Sequence, residues 1–276
     1  MKALEIVKKI LVFTNYTNIL VSASAGMLAI GMSNAINLDH KEIYGLFVFC
    51  ATMGIYNFQR LLRAKQLNKA YSEHLIWIRE NQLLLTALCL LNSIIACYLF
   101  FYKLNAFEPS KYLIVFSFLI SILYVVKINN RNLRDLPMLK MHWIALIWVI
   151  AIGILPLIIN GDINIKSWIY SAIHYLLFIA LCIPFDIRDL KFDDKNLKTI
   201  PQLIGVNKSK MLSLSLLLLF LAVSIFLQPK LIHNLLYLSN ALYLMALISL
   251  SGQNRSSWYY LLLDLSLLIL GVAYLF

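Results

Sequence analysis

Charged residues are scarce in this sequence, and their scarcity excludes an ordinary water-soluble domain. They make up 13% of the 276 residues, whereas 61% are hydrophobic, and soluble domains carry about 25% charged residues. The apolar residues fall in long runs with few internal charges, such as residues 231–250. A bilayer core of about 30 Å needs about 20 helical residues, so such a run can span it. The composition therefore predicts an all-α polytopic membrane protein.

Cysteine pairs, low-complexity tracts and soluble insertions are also missing. The four cysteines lie within apolar segments and none belongs to a CxxC pair, so they are interpreted as small buried hydrophobes and not as metal ligands or disulfides. Because nothing interrupts the apolar pattern, residues 1–276 are expected to form a single integral membrane domain.

The apolar runs predict nine membrane spans. The fourth is short, but Lys111 and Lys127 could extend outward at its ends. Residues 211–250 would be about 60 Å long as one helix, twice the bilayer core, so the chain must turn back near Pro229. The predicted spans are residues 10–32, 43–59, 82–102, 112–126, 141–159, 167–185, 211–227, 231–250 and 257–276.

The basic residues predict the orientation of these spans, since cytoplasmic loops retain Lys and Arg. With the N-terminus inside, 19 of the 24 basic residues fall in inner segments and 5 in outer ones. This asymmetry predicts a cytoplasmic N-terminus and an external C-terminus, in a membrane expected to be a bacterial inner membrane. The net charge of +11 is explained by topology and does not indicate nucleic-acid binding.

The first segment has a competing interpretation as a secretory signal peptide. The tripeptide Ala-Ser-Ala at residues 23–25 resembles a cleavage site and follows an apolar stretch. The apolar character continues past it to Met32, which favours a retained span.

Three aspartates follow the sixth predicted span. Asp186, Asp189 and Asp193 have the spacing i, i+3 and i+7, so a continuing helix would place their carboxylates on one face. Such a stack of like charges becomes favourable when a divalent cation lies among them, and Mg²⁺ is typically held by carboxylates together with substrate phosphates. The alternative is a solvated acidic face at a helix end.

The context of these aspartates resembles a known motif. The pattern Asp-x-x-Asp-x-x-x-Asp at residues 186–193 is followed by Lys-Thr-Ile-Pro-Gln-Leu-Ile-Gly at residues 198–205, which resembles the second aspartate motif of UbiA-type intramembrane prenyltransferases. The nine helices and the cytoplasmic N-terminus predicted for this chain also resemble that family. Asn196 departs from the family pattern, which usually has Gly there. The resemblance implies that Asp186, Asp189 and Asp193 bind Mg²⁺ and are the catalytic residues.

The first aspartate motif of that family is degenerate here. After the second predicted span Asn57 matches the family pattern, but Phe58, Leu61 and Lys65 stand where three carboxylates are expected. Half of the family's metal site is therefore missing from the sequence.

Basic residues occupy the same segment. Arg60 and Arg63 lie one helical turn apart, and guanidinium groups can bind phosphate oxygens bidentately. They could neutralise a diphosphate in place of a metal ion, or they could simply anchor the helix at the cytoplasmic surface.

The connection after the fourth span loosely resembles the family's Tyr- and Lys-bearing loop on the phosphate side. It contains Tyr124 and Lys127, then Arg131, Arg134 and Lys140, although topological anchoring explains its cations equally well. The residues expected to bind diphosphate are Asn57, Arg60, Arg63, Lys127, Arg131, Arg188 and Lys198.

Two ionisable residues lie inside predicted spans. Asp264 is surrounded by apolar and hydroxyl residues and belongs to no motif of the family, so a functional carboxylate and a neutral carboxyl bonded to another helix both stay open. His174 is interpreted as a core residue with satisfied hydrogen bonds.

The resemblance implies a transferase that moves an isoprenoid group from a prenyl diphosphate to a lipid-soluble, aromatic acceptor. It implies Mg²⁺ as cofactor and membrane lipid as surroundings. The sequence itself indicates neither a nucleic acid nor an obligate protein partner. The alternative is a catalytically degenerate relative that binds a prenyl or quinone-like lipid. A transporter is disfavoured because the two halves show no internal repeat of helices.

Overall fold

The computed structural model is a bundle of helices. It describes residues 12–66, 73–104, 108–128, 131–255 and 257–276. The helices are α1 Ile19–Ala35, α2 Lys41–Gln66, α3 Glu73–Glu80, α4 Gln82–Tyr98, α5 Glu108–Leu123, α6 Lys140–Val149, α7 Leu155–Ile159, α8 Ile165–Asp189, α9 Ile200–Ile204, α10 Val206–Leu227, α11 Leu235–Leu250 and α12 Ser257–Ala273.

Four helical stretches of the described residues are long and apolar enough to cross a membrane. They are Gln82–Lys103, Lys140–Ile159, Ile165–Asp189 and Val206–Leu227, and α1, α5, α11 and α12 contain shorter apolar helices. Every predicted span overlaps a helix of the described chain, while residues 10 and 11 of the first one lie outside the described ranges. The all-α membrane architecture is confirmed, and the exact number of crossings stays a prediction.

The fifth predicted span is one continuous helical segment with a widened turn. Helix α6 passes through a π-helical turn at Ile150–Ile154 into α7. Pro156 is the second residue after this turn, and a proline ring in a regular α-helix clashes with the carbonyl four residues earlier. The wide turn accommodates this proline without ending the helix.

The helices pack in a ring that the first and last of them close. Helix α1 packs on α2 and α12, α11 joins α12 to α10, and α8 packs between α10 and α6. At the closure Gly31 faces Gly271 so closely that a Cβ on Gly31 would lie 2.1 Å from the Gly271 carbonyl oxygen. Small residues allow such close contact between membrane helices. The tripeptide at residues 23–25 lies within α1, where Ala25 is buried in this core.

Several connections between the described helices gather at two opposite ends of the bundle. One end, here named the acidic end, contains the connecting residues 124–128, 131–139, 190–199 and 251–255. Two hydrogen bonds join them there: the Met138 N–H donates to the Leu197 carbonyl at 2.8 Å, and Lys191 Nζ donates to Asn254 Oδ1 at 2.6 Å.

The opposite end is named the amide end, because side-chain amides join its connections. Gln228 Nε2 donates to the Ala35 carbonyl at 3.1 Å, and Asn34 Nδ2 donates to the Tyr274 carbonyl at 2.9 Å. Asn234 Nδ2 donates to the Ala273 carbonyl at 2.7 Å. This arrangement agrees with the predicted up-and-down order of the helices.

Two sequence interpretations of core residues have different outcomes. His174 is fully buried, and its ring nitrogens lie 2.8 Å from the Tyr170 carbonyl and 2.9 Å from the Tyr274 hydroxyl, which confirms a satisfied core histidine. All four cysteines are free, but Cys97 is exposed, so the prediction that it is buried was wrong. It shares helix α4 with exposed Leu90 and Ile94, because apolar residues of a membrane helix also face lipid.

Candidate functional site

The acidic motif lies at the end of helix α8. Asp186 and Asp189 belong to its last turn, and the helix ends at Asp189. The N–H groups of Phe192 and Asp193 both donate to the Asp189 carbonyl at 2.8 Å. The expectation of one continuing helix face is therefore wrong for Asp193, because the chain leaves the helix four residues earlier. The turn nevertheless brings its carboxylate back toward Asp186.

The three carboxylates converge on the ammonium group of Lys140. Lys140 Nζ lies 2.8 Å from Asp186 Oδ1, 2.6 Å from Asp193 Oδ2 and 3.8 Å from Asp189 Oδ2. Lys140 and Asp186 are 7% and 3% exposed. Like charges at these positions are compatible with burial because a cation lies between them.

Two arginines complete the charge balance of this cluster. Arg134 Nη2 lies 3.4 Å from Asp193 Oδ1. Arg188 binds Asp189 through two nitrogens, at 2.7 Å and 3.2 Å. Within the described ranges, the cations that lie within 4 Å of these three carboxylates are thus Arg134, Lys140 and Arg188.

Aromatic rings fix the guanidinium group of Arg188. Its Cζ lies 5.1 Å from the centroid of Phe185 and 4.9 Å from that of Tyr260, within the range of cation–π interaction. Helices α8 and α12 therefore position this cation together.

The connection between α5 and α6 brings Lys140 to the acidic motif. Its hydrogen bond from Met138 to Leu197 ties it to the loop after Asp193, and Met138 adopts a positive φ of 63°. Helix α6 begins two residues later, at Lys140. This tight turn directs the first side chain of α6 to the end of α8.

Arg63 and Tyr124 add polar groups on the side of helix α2. Arg63 is exposed and lies in electrostatic range of Asp189, Asp193 and Arg134. Tyr124 follows α5 directly and lies in electrostatic range of Arg134 and Arg63.

Arg60 lies one turn before Arg63 in α2, and its side chain binds backbone carbonyls. Its Nη1 donates to the carbonyls of Asn15 and Tyr16 at 3.1 Å and 3.3 Å. Arg60 also lies in electrostatic range of Asp264, which in turn lies in range of Arg188. The intramembrane carboxylate thus faces cations from α2 and α8.

Asn57 uses its polar atoms within the protein. It is fully buried, its Nδ2 donates to the carbonyls of Thr17 and Met53, and its Oδ1 accepts from Asn18. Asn18 has a positive φ of 62° directly before α1. These bonds stabilise the break in the chain before α1, and a role of Asn57 in diphosphate binding stays a prediction.

The other expected phosphate ligands lie at the surface. Lys127, Arg131 and Lys198 are exposed, and their roles stay predictions. The expected set omitted Arg134 and Lys140, although both belong to the connection that the sequence singled out. The available signal was the position of Lys140 directly before the apolar run 141–159, where a cation needs an anionic partner.

The acidic cluster suits a divalent cation in its donor chemistry but already contains an ammonium group. Carboxylate oxygens are the ligands that Mg²⁺ prefers. Among the described residues, no group of three or more carboxylate, imidazole or thiol side chains is arranged to hold a metal ion as it stands. A divalent cation would therefore have to compete with Lys140 for the same oxygens.

The structure is similar to solved structures of a UbiA homolog from Archaeoglobus fulgidus. One is described as bound to GPP and Mg²⁺ and the other as bound to DMAPP and Mg²⁺. The sequence identities are 15% and 14%, the TM-score is 0.55 for both, and the alignments cover 94% of this chain and 99% and 98% of the solved chains. No protein-family model and no curated protein matches the sequence. At this identity the similarity concerns the fold alone, and this chain has the fold of the UbiA homologs.

Proposed function

We propose that this protein is a UbiA-like membrane prenyltransferase that transfers an isoprenoid group from a prenyl diphosphate to a lipid-soluble, aromatic acceptor. The observation that carries the proposal is the convergence of three carboxylates and three cations at one end of a bundle with this fold. Apolar residues could pack in the same place at a lower desolvation cost. Packing alone therefore does not explain the cluster.

Asp186, Asp189 and Asp193 are proposed to hold Mg²⁺ together with the diphosphate. The similar structures contain a prenyl diphosphate and Mg²⁺, which supports this assignment. When bound, the cation would neutralise negative charge that develops on the departing diphosphate.

The arginines near the carboxylates are proposed to bind the diphosphate oxygens. Arg134 and Arg188 contact the acidic motif, and Arg63, from a third segment, lies in electrostatic range of it. Guanidinium groups bind phosphate oxygens bidentately, so these side chains can hold the diphosphate without a complete first aspartate motif. Arg60 can add charge from the deeper side while it holds the carbonyls of Asn15 and Tyr16.

The transfer step then follows from the position of this cluster at the end of apolar helices. The bond between the allylic carbon and the diphosphate oxygen breaks, and the electron pair leaves with the diphosphate toward the cations. The prenyl carbon forms a bond with the nucleophilic carbon of the acceptor, which loses a proton. This step requires apolar surroundings that keep water away from the cationic carbon, and aromatic side chains can stabilise such a carbon.

The test is an assay of the purified protein with prenyl diphosphates of different chain lengths. The protein in detergent is incubated with Mg²⁺, a prenyl diphosphate and a panel of lipid-soluble aromatic acceptors, and diphosphate release and prenylated product are both measured. Acceptor-dependent release supports the proposal. Absence of diphosphate release with every prenyl diphosphate and acceptor would overturn it.

A second candidate function is a lipid-binding protein that has lost the chemistry. The missing carboxylates near Asn57 and the use of this side chain within the fold favour it. In the same assay it predicts tight binding of prenyl diphosphate or a quinone-like lipid with no release of diphosphate.

A further inference from the structure

We propose that Lys140 is a built-in counter-cation that competes with the divalent cation and makes its binding depend on the diphosphate. This inference rests on the proposed function for the identity of the anion, but its first prediction concerns cation binding alone. It starts from the position of the ammonium group between the three carboxylates.

The contacts of Lys140 occupy the cluster where a metal ion would lie. Its nitrogen is within 2.8 Å of both Asp186 and Asp193 and 3.8 Å from Asp189. An ammonium group has three donors and no acceptor, so one lysine can serve three carboxylates. The side chain is buried. In this it differs from the exposed lysines that anchor a membrane protein at the cytoplasmic surface.

The charge count explains why the competition matters. Three carboxylates face three cations, Lys140, Arg134 and Arg188, so the cluster is neutral by its own side chains. A divalent cation added to this cluster would leave two uncompensated positive charges in a partly buried site, which is unfavourable. A diphosphate supplies the missing negative charge.

The ammonium group can then move from the carboxylates to the diphosphate oxygens. Lys140 has a flexible four-carbon stem, and its backbone is fixed at the first position of α6 by the turn at Met138. The divalent cation and the prenyl diphosphate would therefore bind cooperatively, because each makes the binding of the other more favourable.

The experiment measures Mn²⁺ binding to the purified protein by electron paramagnetic resonance, without any prenyl diphosphate. Lys140→Met keeps the apolar stem and removes the charge. We expect it to bind Mn²⁺ at least about tenfold more tightly than the parent protein, within the usual range of coupling between sites. Lys195→Met is the matched control, since Lys195 is exposed in the same loop as Asp193, and it should bind Mn²⁺ like the parent.

A second measurement addresses the folding of the variant. In EDTA the three carboxylates of Lys140→Met lack their central cation, so its unfolding temperature should fall and Mn²⁺ should restore it. Mn²⁺ binding no tighter than that of the parent would overturn the proposal. A variant that fails to fold even with Mn²⁺ would overturn it too, since the metal ion is expected to replace the ammonium group.

The diphosphate arm separates this inference from the proposed function. Addition of geranyl diphosphate should raise the Mn²⁺ affinity of the parent protein toward that of Lys140→Met. If geranyl diphosphate binds to neither protein while Lys140→Met still binds Mn²⁺ more tightly, the competition stands and the prenyltransferase assignment fails. If geranyl diphosphate binds but leaves the Mn²⁺ affinity of the parent unchanged, the dependence on the diphosphate fails.

Discussion

At the acidic end of the bundle, ion pairs between buried side chains add to the hydrogen bonds of the connections, whereas at the amide end neutral side chains bind backbone carbonyls. At the acidic end Lys140 joins α6 to Asp186 and Asp193. At the amide end Asn34 and Gln228 bind backbone carbonyls of other segments. Neutral hydrogen bonds avoid the desolvation cost of charges, while ion pairs can exchange partners when a charged ligand arrives. The comparison suggests one end that fixes the helices and one that responds to a ligand.

The first prediction, which has an all-or-none outcome, places the two ends on opposite sides of the membrane. Reporter fusions at the N-terminus and near Lys198 should be cytoplasmic, and a fusion at Phe276 should be external, because 19 of the 24 basic residues fall in the segments assigned to the inside. A cytoplasmic Phe276 would contradict the odd number of spans.

The second prediction removes a carboxylate from the acidic end. Asp189→Ala should abolish Mg²⁺-dependent diphosphate binding and any prenyl transfer, because Asp189 contributes to the carboxylate cluster and binds Arg188. The protein should still purify as a folded monodisperse species in detergent. Asp135→Ala is the control, since Asp135 is an exposed acid of the neighbouring connection. Unchanged diphosphate binding by Asp189→Ala would show that the motif is a structural ion-pair cluster and not the diphosphate site.

The third prediction concerns Arg60, which is proposed to bind the diphosphate and which also binds the carbonyls of Asn15 and Tyr16. Arg60→Ala should weaken binding of geranyl diphosphate by about 1.5 to 3 kcal/mol, the range for hydrogen bonds to charged groups, as measured by calorimetry. It should also lower the unfolding temperature, because the carbonyls of Asn15 and Tyr16 lose their donor.

Lys65→Ala is the control for Arg60, since Lys65 is exposed on the same helix. Diphosphate affinity equal to that of the parent would identify Arg60 as a structural residue, and the lipid-binding alternative would then gain support.

The fourth and smallest effect is expected at the amide end. Asn234→Ala removes a hydrogen bond to the Ala273 carbonyl and the N-cap of α11, so the free energy of unfolding should fall by about 1 to 2 kcal/mol. Diphosphate affinity should not change. A loss of affinity comparable to that of Arg60→Ala would show that the two ends do not differ in role.

The sequence predicted the helices better than it predicted the contacts between them. The predicted span 141–159 matches Lys140–Ile159 to within one residue, because the length of an apolar run depends on local composition. The first span was predicted from residue 10, whereas α1 begins at Ile19 after the left-handed Asn18. That break depends on Asn57, 39 residues away, and no local pattern reveals it.

The sequence predicted the acidic residues of the candidate site but only some of its basic residues. The spacing of Asp186, Asp189 and Asp193 pointed to one cluster, and the structure brings them together at Lys140. In the sequence, many basic residues could equally well be cytoplasmic anchors. Only the folded connections determine which of them contacts the three aspartates. Lys140 is selected by the contact between Met138 and Leu197, which are far apart in the chain.

The contact between Gly31 and Gly271 also bears on how the protein is made. The chain is synthesised from its N-terminus, so α1 leaves the ribosome and enters the membrane long before α12 exists. Until α12 has been synthesised, the small-residue face of α1 lacks its partner from that helix. Insertion factors or lipid must cover that face in the meantime, and a chain truncated before α12 would be left with an open ring.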